Sequence, residues 1–257
     1  MADARATVLA FMRDTLAASA DLREEHAWGA LLRTPSLDAV WALNQVFVER
    51  PEPDLTLADI DALFAERFAG GRFASALLED EATGERIEAQ ARERGWKVEH
   101  ELFMELRREP DRRVDTSGVR EGAMDELRAL VDRWFAEDFA GQGEEALRQL
   151  GEFSAREWEA RPTRGFVAAG GQAMCKLWSD GRTAQVEDVY TAPEARGGGH
   201  ARALVTHAAD VAREAGHELV FIVADDDDTP KQLYERLGFD PLVRVTRVSR
   251  ELRPPAA

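Results

Sequence analysis

The chain has 257 residues, an apolar content of 44% and a formal net charge of −16. Its length suffices for one large domain or two small ones, and its composition is that of a globular protein. The acidity argues against nucleic acid as the main partner, because phosphate neutralisation needs clustered Lys and Arg, and no apolar run reaches the roughly 18 residues of a membrane span.

The N-terminal half contains four elements with readable signals, although residues 27–48 mix apolar residues without a clean period. Thr56 is a candidate N-cap for a helix that starts at residue 57. Periodicity predicts, in chain order, a helix at 57–64, a strand at 73–78, a charged helix at 81–94 and a strand at 98–106.

The C-terminal half shows a clearer order of elements. Amphipathic spacing predicts helices at 125–139 and 144–160, and Gly170-Gly171 and Asp180-Gly181 are hairpin signals. Three antiparallel strands are therefore expected at 165–169, 173–178 and 183–191. A helix at 201–215, a buried parallel strand at 219–224, a short helix from Pro230 and a last strand at 242–248 follow. Thr229 and Gln232 are typical of a capping box, and Gly238 of a left-handed helix end.

A glycine-rich turn stands between the third of these strands and the following helix. It reads Arg196-Gly197-Gly198-Gly199-His200-Ala201. Glycines at a helix start leave unpaired N–H groups pointing one way, which suits a phosphate. A P-loop is excluded because no Gly-Lys-Ser/Thr follows, and the third glycine of a Rossmann fingerprint is replaced by Arg202.

Residues 184–248 resemble the core of the GNAT superfamily of acyl-CoA-dependent N-acyltransferases. The turn matches the family's R/Q-x-x-G-x-G/A loop, residues 189–195 resemble its strand end with a proline lead-in, and residues 232–239 resemble its L-Y-x-x-x-G-F block. The resemblance implies a mixed α/β sheet whose parallel strands separate where the cosubstrate enters.

The resemblance also implies roles for individual residues. The N–H groups of the loop (Arg196, Gly197, Gly198, Gly199, His200 and Ala201) would hold the pyrophosphate of acetyl-CoA. Val189 and Thr191 would pair with the pantetheine arm, and the N–H of Val189 or Tyr190 would polarise the thioester carbonyl. Tyr234 would donate a proton to the leaving thiolate. Asp228 falls where many members carry an Asn beside the cosubstrate arm.

The general base has two candidates, Glu187 and Asp188, whose side chains alternate to opposite faces of a regular strand. We prefer Glu187 because it would share a face with Val189 and Thr191. A carboxylate in a structural ion pair is the alternative. No metal is expected, because His200 and His207 have the wrong spacing and residues 225–228 lack the pattern of a calcium loop.

The two halves also resemble each other weakly. Gly95-Trp96 follows a predicted helix and precedes a strand, as Gly238-Phe239 does 143 positions later. The alternative is a common helix end with a hydrophobic contact. We expect tandem GNAT-like copies, with residues 1–110 a degenerate domain lacking the cofactor loop, residues 111–257 the catalytic domain, and residues 107–113 the linker.

The sequence thus predicts an N-acetyltransferase that moves the acetyl group of acetyl-CoA to a primary amine of a small molecule within a ternary complex. A non-catalytic acyl-CoA binder and a protein N-acetyltransferase remain alternatives. Acceptor contacts are expected from residues 136–162 and from the N-terminal half. The single cysteine, Cys175, favours the reducing cytoplasm and is expected to be an inert buried thiol. The chain is expected to be a monomer or homodimer.

Overall fold

The computed structural model describes residues 3–68 and 70–252. Its α-helices are α1 (Ala4–Ser19), α2 (Leu57–Arg67), α3 (Glu81–Glu93), α4 (Met124–Asp138), α5 (Glu144–Ala160), α6 (His200–Glu214) and α7 (Pro230–Arg236). Its strands are β1 (Leu22–His26), β2 (Gly29–Arg33), β3 (Gln45–Val48), β4 (Phe73–Leu78), β5 (Lys97–Leu106), β6 (Arg120–Glu121), β7 (Thr163–Ala168), β8 (Ala173–Ser179), β9 (Thr183–Thr191), β10 (Leu219–Asp225) and β11 (Phe239–Glu251).

These strands form one mixed sheet in the order β1-β2-β3-β4-β11-β5-β10-β9-β8-β7-β6. The pairs β3–β4 and β9–β10 are parallel, and the other neighbours are antiparallel. The expected mixed α/β architecture is confirmed. None of the helices in the described ranges is both long and apolar enough to cross a membrane.

One order of elements occurs twice along the chain. A helix precedes three antiparallel strands, and then come a helix, a strand parallel to the third, another helix and a last strand. The first copy runs from α1 to β5 and the second from α5 to β11. The last strands are exchanged, because β5 pairs with β10 and β11 pairs with β4. The sheet of each copy is therefore completed by the other copy.

Local signals explain some of the element ends. Thr56 and Asp59 form the capping box of α2, and Gly238 adopts a left-handed φ of 96° after α7. The capping box predicted for α7 is wrong. Thr229 already has helical angles and its side chain caps nothing, while its N–H donates to the Asp228 carboxylate at 2.6 Å.

The β9–β10 pair and helix α6 carry the elements of interest. Helix α6 packs Leu204, Val205 and Ala208, all fully buried, into the core that the neighbouring strands line. The parallel pairing of β9 with β10 covers Thr183 to Val186 only, although β9 continues for five residues. Beyond Val186 the two strands are no longer paired, which is the separation that the resemblance implied.

Candidate active site

The glycine-rich turn opens α6 with an uncapped N-terminus. Gly197 and Gly199 have φ values of 81° and 78°, a region that glycine enters without steric cost. No side chain caps the helix, and its first bond runs from the Ala203 N–H to the Gly199 carbonyl at 3.0 Å. Among the described residues, the N–H groups of 197–202 therefore have no acceptor, and the helix dipole favours an anion there.

A cavity of about 970 Å³, here called the loop cavity, lies against this turn. Most of the residues predicted to contact the cosubstrate line it, together with Tyr234: Val189, Tyr190, Thr191, Arg196, Gly197, Gly199, His200, Ala201 and Asp228. Gly198 does not line it, and the His200 ring lies on the side of Gly198 where a Cβ would stand.

Sequence reasoning missed three further arginines of this cavity, namely Arg112, Arg202 and Arg236. Arg202 pairs with Asp111 at 2.8 Å, and the Arg196 Nε donates to the Thr191 carbonyl at 3.0 Å. Four arginines and three aspartates (Asp111, Asp138 and Asp228) thus line the cavity, in a protein whose net charge is −16. The arginines provide the local attraction that a polyphosphate needs.

Strand β9 is interrupted by a bulge where it leaves β10. Asp188 has a φ of 51°, and the register with β8 shifts between Met174 and Lys176. The extra residue breaks the alternation of side chains. The prediction that Glu187 and Asp188 point to opposite faces is therefore wrong, and so is the argument that Glu187 shares a face with Val189. Both carboxylates line one cavity, and Val189 lines the other.

This second cavity, here called the aromatic cavity, has a volume of about 410 Å³. Phe139 and three residues of α5 line it within the range 136–162 from which acceptor contacts are expected, and residues of α4 and of the N-terminal half line it as well. Seven aromatic side chains contribute to its wall: Trp41, Phe103, Trp134, Phe135, Phe139, Phe153 and Trp178. Trp134 lines both cavities, so the two meet at Trp134 and at the β9 bulge.

The bulge carries a buried cluster of charges. The Lys176 ammonium, 1% exposed, lies 2.5 Å from the Asp188 carboxylate and donates to the Ser154 hydroxyl at 3.0 Å. Asp188 is thus in an ion pair. Glu187 accepts a hydrogen bond from the Gln185 amide instead. Burial, reinforced by the Asp188 charge, raises the pKa of Glu187 from 4.5 to about 8.

Glu157 of α5 is the third carboxyl of this cluster and was not predicted as a site residue. It lines the aromatic cavity and is 9% exposed. Burial, followed by the charge of Asp188, raises its pKa well above the usual value. Only its place on the inner face of an amphipathic helix could have indicated it.

Tyr234 lies on α7 at the loop cavity and is 6% exposed. Burial is the main reason why its pKa is raised, and the charge of Glu187 adds to the effect. The phenol therefore stays protonated at neutral pH and is able to donate a proton into the cavity.

Two other predicted residues have mainly structural side chains. The Tyr190 hydroxyl donates to the Glu137 carboxylate at 2.8 Å, and its ring stacks on Trp134. Burial raises the pKa of Tyr190 to about 12. Cys175 is fully buried, and burial raises the pKa of its thiol, which makes it a poor nucleophile.

Comparisons with known proteins agree with this fold. Residues 128–239 match the family model described as acetyltransferase (GNAT) family. A GCN5-related N-acetyltransferase from Kribbella flavida covers 100% of the chain and 98% of its own length, with 18% identity and a TM-score of 0.62. A functionally unknown conserved protein from Staphylococcus epidermidis covers 89% and 92%, with 19% identity and a TM-score of 0.65. No curated protein matches the sequence.

Proposed function

We propose that this chain transfers the acetyl group of acetyl-CoA to the primary amine of a small molecule. Its residues 128–239 form a GNAT acetyltransferase domain, and the chain is therefore an acyltransferase. Both substrates would be bound together before the reaction. One observation carries this proposal: the loop cavity, with its free amides, and the aromatic cavity, with its carboxylates, meet at the β9 bulge.

The residues of the loop cavity fit the cosubstrate in three ways. The free N–H groups of 197–202 suit a diphosphate, and the nearby arginines suit further phosphate oxygens. The edge of β9 that β10 leaves unpaired beyond Val186 offers main-chain groups to the amides of a pantetheine arm, as an added strand does. Acetyl-CoA itself supplies an acyl group activated as a thioester.

The neighbouring side chains account for the movement of protons. Glu187 accepts a proton from the substrate ammonium, directly or through water, which leaves a neutral nitrogen as nucleophile. As the new C–N bond forms and the C–S bond breaks, Tyr234 donates its proton to the sulfur. The N–H of Val189 or Tyr190 stabilises the charge on the carbonyl oxygen. Asp188 is less suited to act as base, because Lys176 already holds it.

The N-terminal copy, residues 1–110, is proposed to bind no cosubstrate. Strands β3 and β4 stay paired to their ends, and the Glu79 N–H donates to the Val48 carbonyl beyond them at 3.1 Å. The N-terminus of α2 is capped by Thr56, and Gln90 accepts from the Leu57 N–H. Among the described residues there is thus no gap between these strands and no row of free amides at this helix start. The catalytic copy would comprise residues 111–257 and would use β5 of the other copy to complete its sheet.

The test is a comparison of wild type with Tyr234→Phe, assayed by release of free coenzyme A with a panel of small amines and a panel of peptides. We expect turnover with small amines only, a kcat lower by about 10² in the variant, and unchanged affinity for acetyl-CoA. Phe239→Leu leaves the Tyr234 hydroxyl in place and is the control for repacking, since Phe239 contacts Tyr234 edge-on.

Three outcomes would contradict the proposal. Equal kcat in wild type and Tyr234→Phe would remove the acid role. Turnover with peptides alone would make the chain a protein N-acetyltransferase. Binding of acetyl-CoA without turnover of either panel would make it a non-catalytic acyl-CoA binder.

A further inference from the structure

The aromatic cavity is built by both copies of the repeated order. Trp41 and Phe103 come from the N-terminal copy, and Phe153 and Trp178 come from the C-terminal copy. The N-terminal copy therefore contributes directly to the surroundings of the bulge. An enclosure of about 410 Å³ lies at the lower end of the range for small-molecule sites. Aromatic and aliphatic side chains form most of its wall, which suits a ring or a short hydrocarbon better than a hydrophilic chain.

One end of the cavity is short of positive charge. Three carboxyl groups, those of Glu157, Glu187 and Asp188, lie around a single ammonium, that of Lys176. Lys176 makes its close contacts with Asp188 and Ser154. Glu157 is nine-tenths buried and has no hydrogen-bond or ion-pair partner among the described residues, yet it lines the cavity. A buried carboxylate without a partner is costly, and a bound cation offsets that cost.

We propose that the acceptor is an amphiphilic primary amine, with its ammonium group between Glu157 and Glu187 and a flat apolar body against the aromatic wall of both copies. This inference rests on the proposed function and names the class of its acceptor. Glu157 then binds and positions the amine, while Glu187 takes its proton. The N-terminal copy supplies Trp41 and Phe103 as part of the specificity surface.

The probes are 2-phenylethylamine and ethanolamine, which share a primary ammonium on a two-carbon chain and differ in the apolar body. Binding is measured without acetyl-CoA from the intrinsic fluorescence of the cavity tryptophans Trp41, Trp134 and Trp178. Acetylation is measured separately as KM and kcat for each amine. The separation matters, because binding reports the acceptor class even if no transfer occurs.

Two variants with matched controls locate the contacts. Glu157→Gln removes the charge, and Glu159→Gln does the same at an exposed position of α5 that does not line the cavity. Trp41→Ala removes part of the aromatic wall, and Trp28→Ala removes a partly buried tryptophan of the same copy away from the cavity. Circular dichroism of all four variants establishes that they are folded.

We expect 2-phenylethylamine to have a Kd and a KM at least about tenfold lower than those of ethanolamine. Glu157→Gln and Trp41→Ala should each raise both constants for 2-phenylethylamine by about tenfold, in line with a lost charged hydrogen bond or a lost aromatic contact. Their controls and the KM for acetyl-CoA should not change.

A preference for ethanolamine, or equal effects of the variants and their controls, would overturn the inference. Binding of 2-phenylethylamine that depends on Trp41 and Glu157, without acetylation of any amine, would support the ligand class and overturn the proposed function. Acetylation of ethanolamine alone would support the proposed function and overturn the acceptor class.

Discussion

The replacement Glu187→Gln should make the protein more stable at alkaline pH and less active. In the folded state the pKa of Glu187 is about 8, against 4.5 for an ordinary glutamate. The native protein therefore binds more protons than the unfolded chain between these values. The contribution of protonated Glu187 to the free energy of unfolding is fully present below pH 4.5 and is lost as the pH rises through about 8.

The size of the effect follows from this difference in pKa. At about 1.4 kcal/mol per pKa unit, the full shift corresponds to at most about 5 kcal/mol in the free energy of unfolding. Glu187 is only partly buried, so solvent screens a good part of that amount, and we expect about 2 kcal/mol at pH 9. For a chain of this length that corresponds to a rise in Tm of about 4–8 °C.

The assay is thermal unfolding of wild type and Glu187→Gln at pH 5 and pH 9, combined with the pH dependence of kcat/KM. The two proteins should differ in Tm by little at pH 5 and by the full amount at pH 9, and the variant should lack the rise of kcat/KM near pH 8. Glu159→Gln, on the solvent side of α5, is the control. A Tm difference independent of pH, or an unchanged activity profile, would refute the reasoning.

Two further predictions concern the loop and the buried ion pair. Gly199→Val places a β-branched residue at a φ of 78° and should weaken coenzyme A binding at least about tenfold. The control is Gly216→Val, at a φ of 83° after the same helix, which should lower stability by a similar amount and leave coenzyme A binding intact. Calorimetric titration separates them, and equal affinities would contradict the loop's role. Lys176→Met leaves Asp188 unpaired and should lower the free energy of unfolding by about 3 kcal/mol. Adding Asp188→Asn should recover most of that, and urea unfolding that shows no recovery would contradict the ion pair.

The sequence predicted the elements with strong local signals. The α2 helix, the β4 strand and the β7–β8 hairpin follow from period, capping and turn residues, and their positions are confirmed. Strands β1 to β3 were missed. These strands are short. Because β2 and β3 are buried on both faces, their sequences show no alternation of apolar and polar residues.

The features that depend on long-range pairing could not be read from the sequence. The bulge at Asp188 has no glycine to mark it, and one extra residue reverses the faces of every later side chain. The exchange of β5 and β11 depends on pairs such as Thr246 with His100, whose register no local pattern encodes. The sequence also could not show that Glu157 lies near Glu187 and Asp188. That proximity depends on the packing of α5 against a strand about thirty residues later, which no local pattern encodes.

A crystal structure with coenzyme A would test the central claim most directly. We expect diphosphate oxygens about 3 Å from the N–H groups of residues 197–202, with the thiol end between β9 and β10 near Tyr234. Coenzyme A bound instead between β3 and the N-terminus of α2, or a loop cavity filled by the protein's own side chains, would contradict it.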